Sequence, residues 1–144
     1  MLKQSFVSLL IVGTLAIGAC SNSADSTAVA TVTAPTTPPI VENFSGTVQV
    51  GGSDAHPFTV VLDSQAISID LTSAGPPATI TMGFGIGSSV GGTCQLLSGG
   101  TGQGPGSATP QLSGTIPLGS YCFMVFDVGN AAVPISYTAV ITHY

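Results

Sequence analysis

Short runs in which apolar and polar residues alternate recur from about residue 44 to the end of the chain. In one of them Ile67, Ile69 and Leu71 alternate with polar residues, and similar runs begin near residues 44, 58, 80, 121 and 135. A period of two places alternate side chains on opposite faces of a β-strand. Helical spacing is not convincing in any window, so the pattern predicts an all-β chain.

Turn-forming residues separate these runs at intervals typical of short antiparallel strands. They fall at Gly51-Gly52, Asp63-Ser64, Gly75-Pro76-Pro77, residues 87–92, residues 98–110 and Gly129-Asn130. The sequence therefore predicts an antiparallel β-sandwich, jelly-roll or immunoglobulin-like, with about seven or eight strands over residues 44–144. Both faces of the run from Tyr121 to Phe126 are apolar, which indicates a central strand. Residues 98–110 are expected to form a long loop, either mobile or a contact surface.

The N-terminus has the pattern of an export signal. Lys3 precedes an apolar run over residues 6–17, which is too short to cross a bilayer as a stable helix. The run ends in Ile17-Gly18-Ala19-Cys20, which resembles the lipobox of bacterial lipoproteins. The resemblance implies that residues 1–19 are removed and that Cys20 is lipidated. The alternative is an ordinary signal peptide cleaved after Ala19.

Residues 20–43 are rich in Ser, Thr, Ala and Pro and show no sustained period. Such a composition predicts a disordered linker. In Gram-negative lipoproteins an aspartate directly after the lipidated cysteine often means retention at the inner membrane. Ser21 occupies that position here, so the resemblance implies a lipid-anchored protein of the cell envelope, at the outer membrane.

Charge excludes several classes of function. The chain has six acidic residues and a single basic one, Lys3, which lies in the predicted signal. The mature chain would therefore have no lysine or arginine to neutralise phosphates, and we exclude nucleic acid as a partner. The same absence excludes arginine clamps, P-loop lysines and Schiff-base lysines.

The C-terminal half resembles a known family of secreted modules. Residues 118–130 read LGSYCFMVFDVGN, and residues 134–141 read PISYTAVI. These segments resemble the last strands of the bacterial pre-peptidase C-terminal (PPC) domain, a jelly-roll-like β-sandwich that accompanies secreted hydrolases. The resemblance implies a domain that is not itself catalytic. No partner domain is present, which favours a binding or envelope role of its own.

Once Cys20 is assigned to lipid, Cys94 and Cys122 remain. An exported protein passes through an oxidising compartment, where an even number of cysteines favours a bridge. We predict a structural disulfide between them.

Candidate catalytic residues lack the context that catalysis requires. The stretch Gly87-Ser-Ser-Val-Gly91 matches the G-x-S-x-G motif, but the helix and parallel sheet of a nucleophile elbow are not predicted. It is interpreted as a glycine-rich loop. His56 and His143 fall at predicted strand boundaries without a companion motif and are expected to be surface or rim histidines. No catalytic residue is assigned.

Metal sites are also weakly supported. Two distant histidines lack the spacing of a zinc site. Calcium could use carboxylate and amide oxygens, although no calcium-loop motif joins the candidates, which are Asp54, Asp63, Asp70, Asp127 and Asn130. No cofactor is predicted, with calcium as a minor alternative.

The residues therefore indicate a non-catalytic, lipid-anchored module that binds a glycan or an envelope protein. Two alternatives remain open: a structural envelope subunit that assembles through strand edges, and a small secreted hydrolase.

Overall fold

The computed structural model describes residues 37–144, which form eight β-strands and no helix. Among these residues there is accordingly no helical segment that could span a membrane. The predicted signal, Cys20 and most of the predicted linker lie outside the described residues. The strands are β1 (Ile40–Val48), β2 (Ser53–Val60), β3 (Gln65–Gly75), β4 (Met82–Val90), β5 (Thr93–Gly104), β6 (Leu112–Ile116), β7 (Gly119–Asp127) and β8 (Ile135–His143).

The strands form two antiparallel four-stranded sheets that pack face to face. Sheet I has the order β1-β8-β3-β6, and sheet II has the order β2-β7-β4-β5. The all-β sandwich predicted from the sequence is confirmed. Each sheet ends in two edge strands, and β1 contacts β2 while β5 contacts β6 across the sandwich. The two open sides of the sandwich are therefore the β1–β2 edge and the β5–β6 edge.

The alternating pattern builds the core. On β3 the three apolar residues Ile67, Ile69 and Leu71 are buried, and the polar residues between them are half-buried. β7 lies between β2 and β4, so the prediction of a central strand is confirmed. The largest fully buried side chains come from both sheets: Tyr137, Phe84, Phe123, Ile69, Leu71, Met82, Ile135, Ile141, His143, Val48, Val60 and Val125.

Two strands differ from the expectation in length. β1 begins at Ile40, inside the segment assigned to the linker, because Ile40 already pairs with His143 of β8. β5 runs to Gly104, so the first half of the expected loop at residues 98–110 is strand. The pairing of β4 with β5 shifts register between Gly85 and Gly87 of β4, so that β5 pairs with β4 both before and after its residues 97–100.

The remaining connection, residues 105–111, is hydrogen-bonded to β3. Ser107 and Gln111 donate their backbone N–H groups to the carbonyls of Leu71 and Ile69. The strand that follows, β6, was not predicted at all, because its sequence LSGTI holds only two large apolar residues.

The Asp127–Asn130 turn forms as predicted. The Asp127 carboxylate accepts the backbone N–H groups of Gly129, Asn130 and Ala131, and also that of Gly51 in the β1–β2 turn. These hydrogen bonds, that from Gly51 first, lower the pKa of Asp127. These hydrogen bonds therefore tie the end of β7 to the β1–β2 turn, which connects the two sheets.

Candidate functional site

Three polar side chains meet at the β1–β2 edge. Tyr137 of β8 is 2% exposed, and its hydroxyl donates a hydrogen bond to Asp54 Oδ2 at 3.0 Å. The same hydroxyl lies 2.8 Å from His56 Nε2. A phenol has one proton, and Tyr137 donates it to Asp54. In the second contact, therefore, His56 Nε2–H donates and the Tyr137 hydroxyl oxygen accepts. Burial, followed by the hydrogen bond and charge of Asp54, raises the pKa of Tyr137.

Gly46 makes room for this cluster. A Cβ atom at Gly46 would overlap Asp54 Oδ2 and crowd the Tyr137 hydroxyl. Phe44, two residues earlier on β1, stacks on the His56 ring with centroids 5.1 Å apart and also on Phe123. On the edge strand β1, Phe44 thus covers the cluster with its ring, and Gly46 leaves space for Asp54 and Tyr137.

A second histidine–carboxylate pair lies on the same edge. His143 Nε2 is 2.9 Å from Glu42 Oε1, and the His143 ring packs on Phe58. His143 is 1% exposed, so the expectation of a surface histidine is wrong for this residue. His143 alternates in phase with the apolar residues of β8 and therefore points into the sandwich. There its Nε2 atom is hydrogen-bonded to the Glu42 carboxylate.

His56 is half-buried, as expected of a rim histidine, but it lies within β2 rather than at a strand boundary. It lines a shallow depression of about 180 Å³ together with Ser89 and the two bridged cysteines. No hydrogen bond joins His56 to Ser89 in the described structure. Its Nε2 is engaged by Tyr137, and burial favours the protonated phenol over a nucleophilic phenolate. The cluster therefore holds β1, β2 and β8 together.

The G-x-S-x-G segment is strand and turn rather than the expected glycine-rich loop. Gly87 to Val90 belong to β4, and Gly91 and Gly92 form the turn to β5 with positive φ angles. Cys94 and Cys122 are joined by a disulfide with Cα atoms 5.7 Å apart, which links β5 to β7. A Cβ at Gly87 would lie 2.9 Å from Cys94 Sγ, so this glycine lets β5 pass close over β4.

The calcium candidates do not converge. Asp54 is bonded to Tyr137, Asp63 accepts the backbone N–H of Leu118, and Asp127 caps its turn. Asp70 Oδ1 is covered and has no hydrogen-bond partner among the described residues, and burial raises the pKa of this carboxyl. Residues 37–144 contain no group of three or more His, Cys, Asp or Glu side chains arranged to hold a metal ion.

The β5–β6 edge is built differently. A cavity of about 190 Å³ opens between the two strands. Aliphatic side chains from both sheets line it together with serine, threonine and glycine residues, and none of the lining residues is charged: Ile67, Ile86, Leu97, residues 98–100 and residues 112–116. Leu97 is 37% exposed at its mouth. Sequence reasoning missed this site because it did not predict β6.

Gly114 gives the cavity its opening. It lies opposite Ile67 in the β3–β6 pairing, and a Cβ atom built on it would meet no other atom within 4 Å. The contrast with Gly46, where a Cβ would collide with two side chains, shows that one edge is filled and the other is not.

Aromatic side chains do not form a binding platform on this domain. Every Phe and Tyr of residues 37–144 is buried or half-buried. The exposed large hydrophobic residues of the described chain are all aliphatic: Ile40, Val41, Val50, Val61, Val90, Leu97, Leu118, Val128 and Val133.

The chain matches no family model and no curated protein. Among solved structures, it is similar to the crystal structure of Aeromonas hydrophila PliG, a periplasmic lysozyme inhibitor of g-type lysozyme. The similarity covers 71% of this chain and 84% of that chain, with 13% sequence identity and a TM-score of 0.48. A similarity of this size carries no argument about function.

Proposed function

We propose that this chain is a non-catalytic, lipid-anchored module of the bacterial envelope that binds a protein partner through its β5–β6 edge. The lipobox-like residues Ile17 to Cys20 support the anchor, and Ser21 supports delivery to the outer membrane. The β-sandwich is compatible with a PPC-like domain, which the C-terminal segments resemble.

The observation that carries the binding role is the open, uncharged β5–β6 edge with its apolar cavity. Natural sheets protect their edge strands with charges, prolines or a covering segment, because an unpaired strand edge can pair with another chain. β5 and β6 contain neither charge nor proline. An uncharged strand edge beside a cavity with aliphatic lining residues is typical of an interaction surface.

A protein partner fits better than a glycan. Glycan recognition commonly uses exposed aromatic rings on which sugar faces stack, and the described aromatic rings are at least half-buried. An unpaired strand edge instead offers backbone N–H and C=O groups, which another polypeptide satisfies most fully.

The hydrolase alternative has little support. The two histidines are hydrogen-bonded to Tyr137 and Glu42, and each of these bonds links two strands. A structural subunit that assembles through strand edges is favoured by the same β5–β6 edge, and it differs from the binding module only in having a second copy as partner.

Photo-crosslinking in intact cells separates these functions. A benzophenone amino acid replaces Thr115 on β6, and a matched variant carries it at the exposed Thr47 on β1. The binding module predicts an adduct with a different protein at position 115 and a much weaker one at position 47. A ladder of self-adducts at position 115 would show a structural subunit. Absence of any adduct at position 115 would contradict both.

The anchor is tested separately. Mass spectrometry of the native N-terminal peptide should find a diacylglyceryl-modified Cys20 at the first position. An unmodified thiol, or a chain that starts at another residue, would overturn the anchor and leave the binding role standing.

A further inference from the structure

The partner's chemistry follows from the shape and charge of the β5–β6 edge. β6 is the last strand of sheet I, so its outer side has no strand neighbour among the described residues. It spans five residues, and the cavity lies directly beside it. An extended segment laid along β6 would continue the sheet and point every second side chain toward the cavity.

The cavity selects an uncharged side chain. Its apolar lining and its volume of about 190 Å³ suit a branched aliphatic residue, whereas a charged group would lose its hydration there without a partner. The space beside Gly114, where a Cβ meets nothing within 4 Å, is where such a side chain would fit.

The surroundings of β6 select a basic segment. Two carboxylates lie on β3 and its approach, one at each end of the β3–β6 pairing. Asp63 precedes Gln65, which pairs with Ile116, and Asp70 follows Ile69, which pairs with Leu112. Residues 37–144 contain five acidic side chains and no lysine or arginine, so the whole domain attracts a cation and repels an acidic partner.

From these observations we propose that β6 receives an extended segment of a basic protein by strand addition, with an aliphatic side chain in the β5–β6 cavity and lysine or arginine at the flanks. This inference rests on the proposed binding function and adds the mode of binding and the chemistry of the partner. It commits to a different protein rather than a second copy, because a second copy carries the same negative charge.

A synthetic peptide tests the inference on the full chain in detergent micelles. The probe is Lys-Lys-Val-Thr-Val-Thr-Val-Lys-Lys, and two controls replace its lysines by glutamates or methylate alternate backbone nitrogens. We expect saturable binding of the lysine peptide that slows amide exchange in residues 112–116. The glutamate peptide should bind at least tenfold more weakly at low salt, and the methylated peptide should not bind.

Two variants locate the site. Gly114→Val fills the proposed side-chain position, and Leu97→Lys places a cation at the cavity mouth. Each should weaken peptide binding at least tenfold, while Thr47→Val on β1 should change it less than twofold. Leu97→Lys keeps the test decisive should Gly114→Val fail to fold.

Several results would overturn the inference. They are the absence of saturable binding, protection of β1 rather than β6, equal binding of the glutamate peptide, or unchanged affinity in both cavity variants. Protection of β6 that rises with protein concentration before peptide is added would identify a second copy as the occupant. If cells yield a protein adduct at position 115 but the lysine peptide does not bind, the strand-addition mode fails and the proposed function stands.

Discussion

Both lateral sides of the sandwich end in edge strands, and the two sides are built in opposite ways. At the β1–β2 edge, Glu42 and Asp54 point inward and each meets a histidine or tyrosine from another strand. Proline 57 lies on β2, where an edge strand tolerates the loss of an N–H donor. At the β5–β6 edge there is no charged residue and no proline, and a cavity takes the place of the hydrogen-bonded cluster.

This difference separates a side built for stability from a side available for contact. Inward-pointing charged residues discourage a foreign strand from pairing, and the hydrogen bond between Tyr137 and Asp54 also joins the two sheets. The β5–β6 edge has no charged residue and therefore has neither effect. We therefore expect substitutions at the β1–β2 edge to lower stability. Substitutions in the cavity lining of the β5–β6 edge, away from the disulfide-bonded Cys94, should change binding at little cost in stability.

The largest expected effect on stability concerns the disulfide that links β5, one strand of the β5–β6 edge, to β7. Cys94 and Cys122 are 28 residues apart, and closing a loop of that length stabilises the fold by about 3 to 4 kcal/mol on the chain-entropy estimate. Cys94→Ser with Cys122→Ser should lower the free energy of unfolding by about that amount, measured by urea denaturation. A loss below about 1 kcal/mol would show that β5 is held by its pairing with β4 alone.

A matched pair of glycine substitutions compares the edges directly. Gly46→Ala should destabilise the fold by about 1 to 3 kcal/mol, because the new methyl must displace Asp54 and the Tyr137 hydroxyl. Gly114→Ala should change stability by about 0.5 kcal/mol or less, since its Cβ meets open space. Equal losses in both variants, measured by chemical denaturation, would remove the distinction between a filled and an open edge.

Removal of one hydroxyl tests the polar cluster. Tyr137→Phe leaves Asp54 and His56 without their shared partner and should cost about 1 to 2 kcal/mol, because partly buried polar groups lose a hydrogen bond. Tyr144→Phe is the control, since the Tyr144 hydroxyl makes no hydrogen bond within residues 37–144. Both variants keep the aromatic ring. If Tyr137→Phe loses no more stability than Tyr144→Phe, packing of the Tyr137 ring rather than the hydrogen bonds of the cluster stabilises this edge.

The sequence predicted the fold well where alternation was strong. Ile67 to Leu71 and Tyr121 to Phe126 carry large apolar residues at every second position, and both form strands in the core. The turn at Asp127 was also predictable, because aspartate, glycine and asparagine have local reasons to form it. The disulfide was predictable from the cysteine count together with the predicted export signal.

The two edges could not be predicted in the same way. β6 has one glycine and two polar residues among its five positions, and nine of the twelve residues of β5 are glycine or polar, so no period marks them as strands. His143 is buried because Glu42, 101 residues away in sequence, pairs with it. A contact of that range depends on the register between β1 and β8, which no local pattern encodes.

The smallest effect concerns two carboxylates whose pKa values shift in opposite directions from 3.8. Asp127, beside the β1–β2 hairpin, has a lowered pKa in the folded protein. Its contribution to stability is therefore present above the unfolded pKa and is lost as the pH falls through the lowered value. Asp70, beside β6, has a raised pKa, so its charge opposes folding at neutral pH and protonation relieves this cost as the pH falls.

Asp127→Asn should thus be less stable than the wild-type chain at pH 7, and Asp70→Asn should be more stable. The Asp70 difference should shrink as the pH falls through the raised pKa toward 3.8, and the Asp127 difference should shrink as the pH falls from 3.8 through the lowered pKa. In each case the wild-type carboxyl then becomes neutral like the amide. Thermal melts at matched ionic strength between pH 7 and pH 2.5 measure them. A destabilised Asp70→Asn at pH 7 would mean that the carboxylate finds a favourable partner beside the open edge, and the contrast between a satisfied and an unsatisfied side of the sandwich would then fail at this residue.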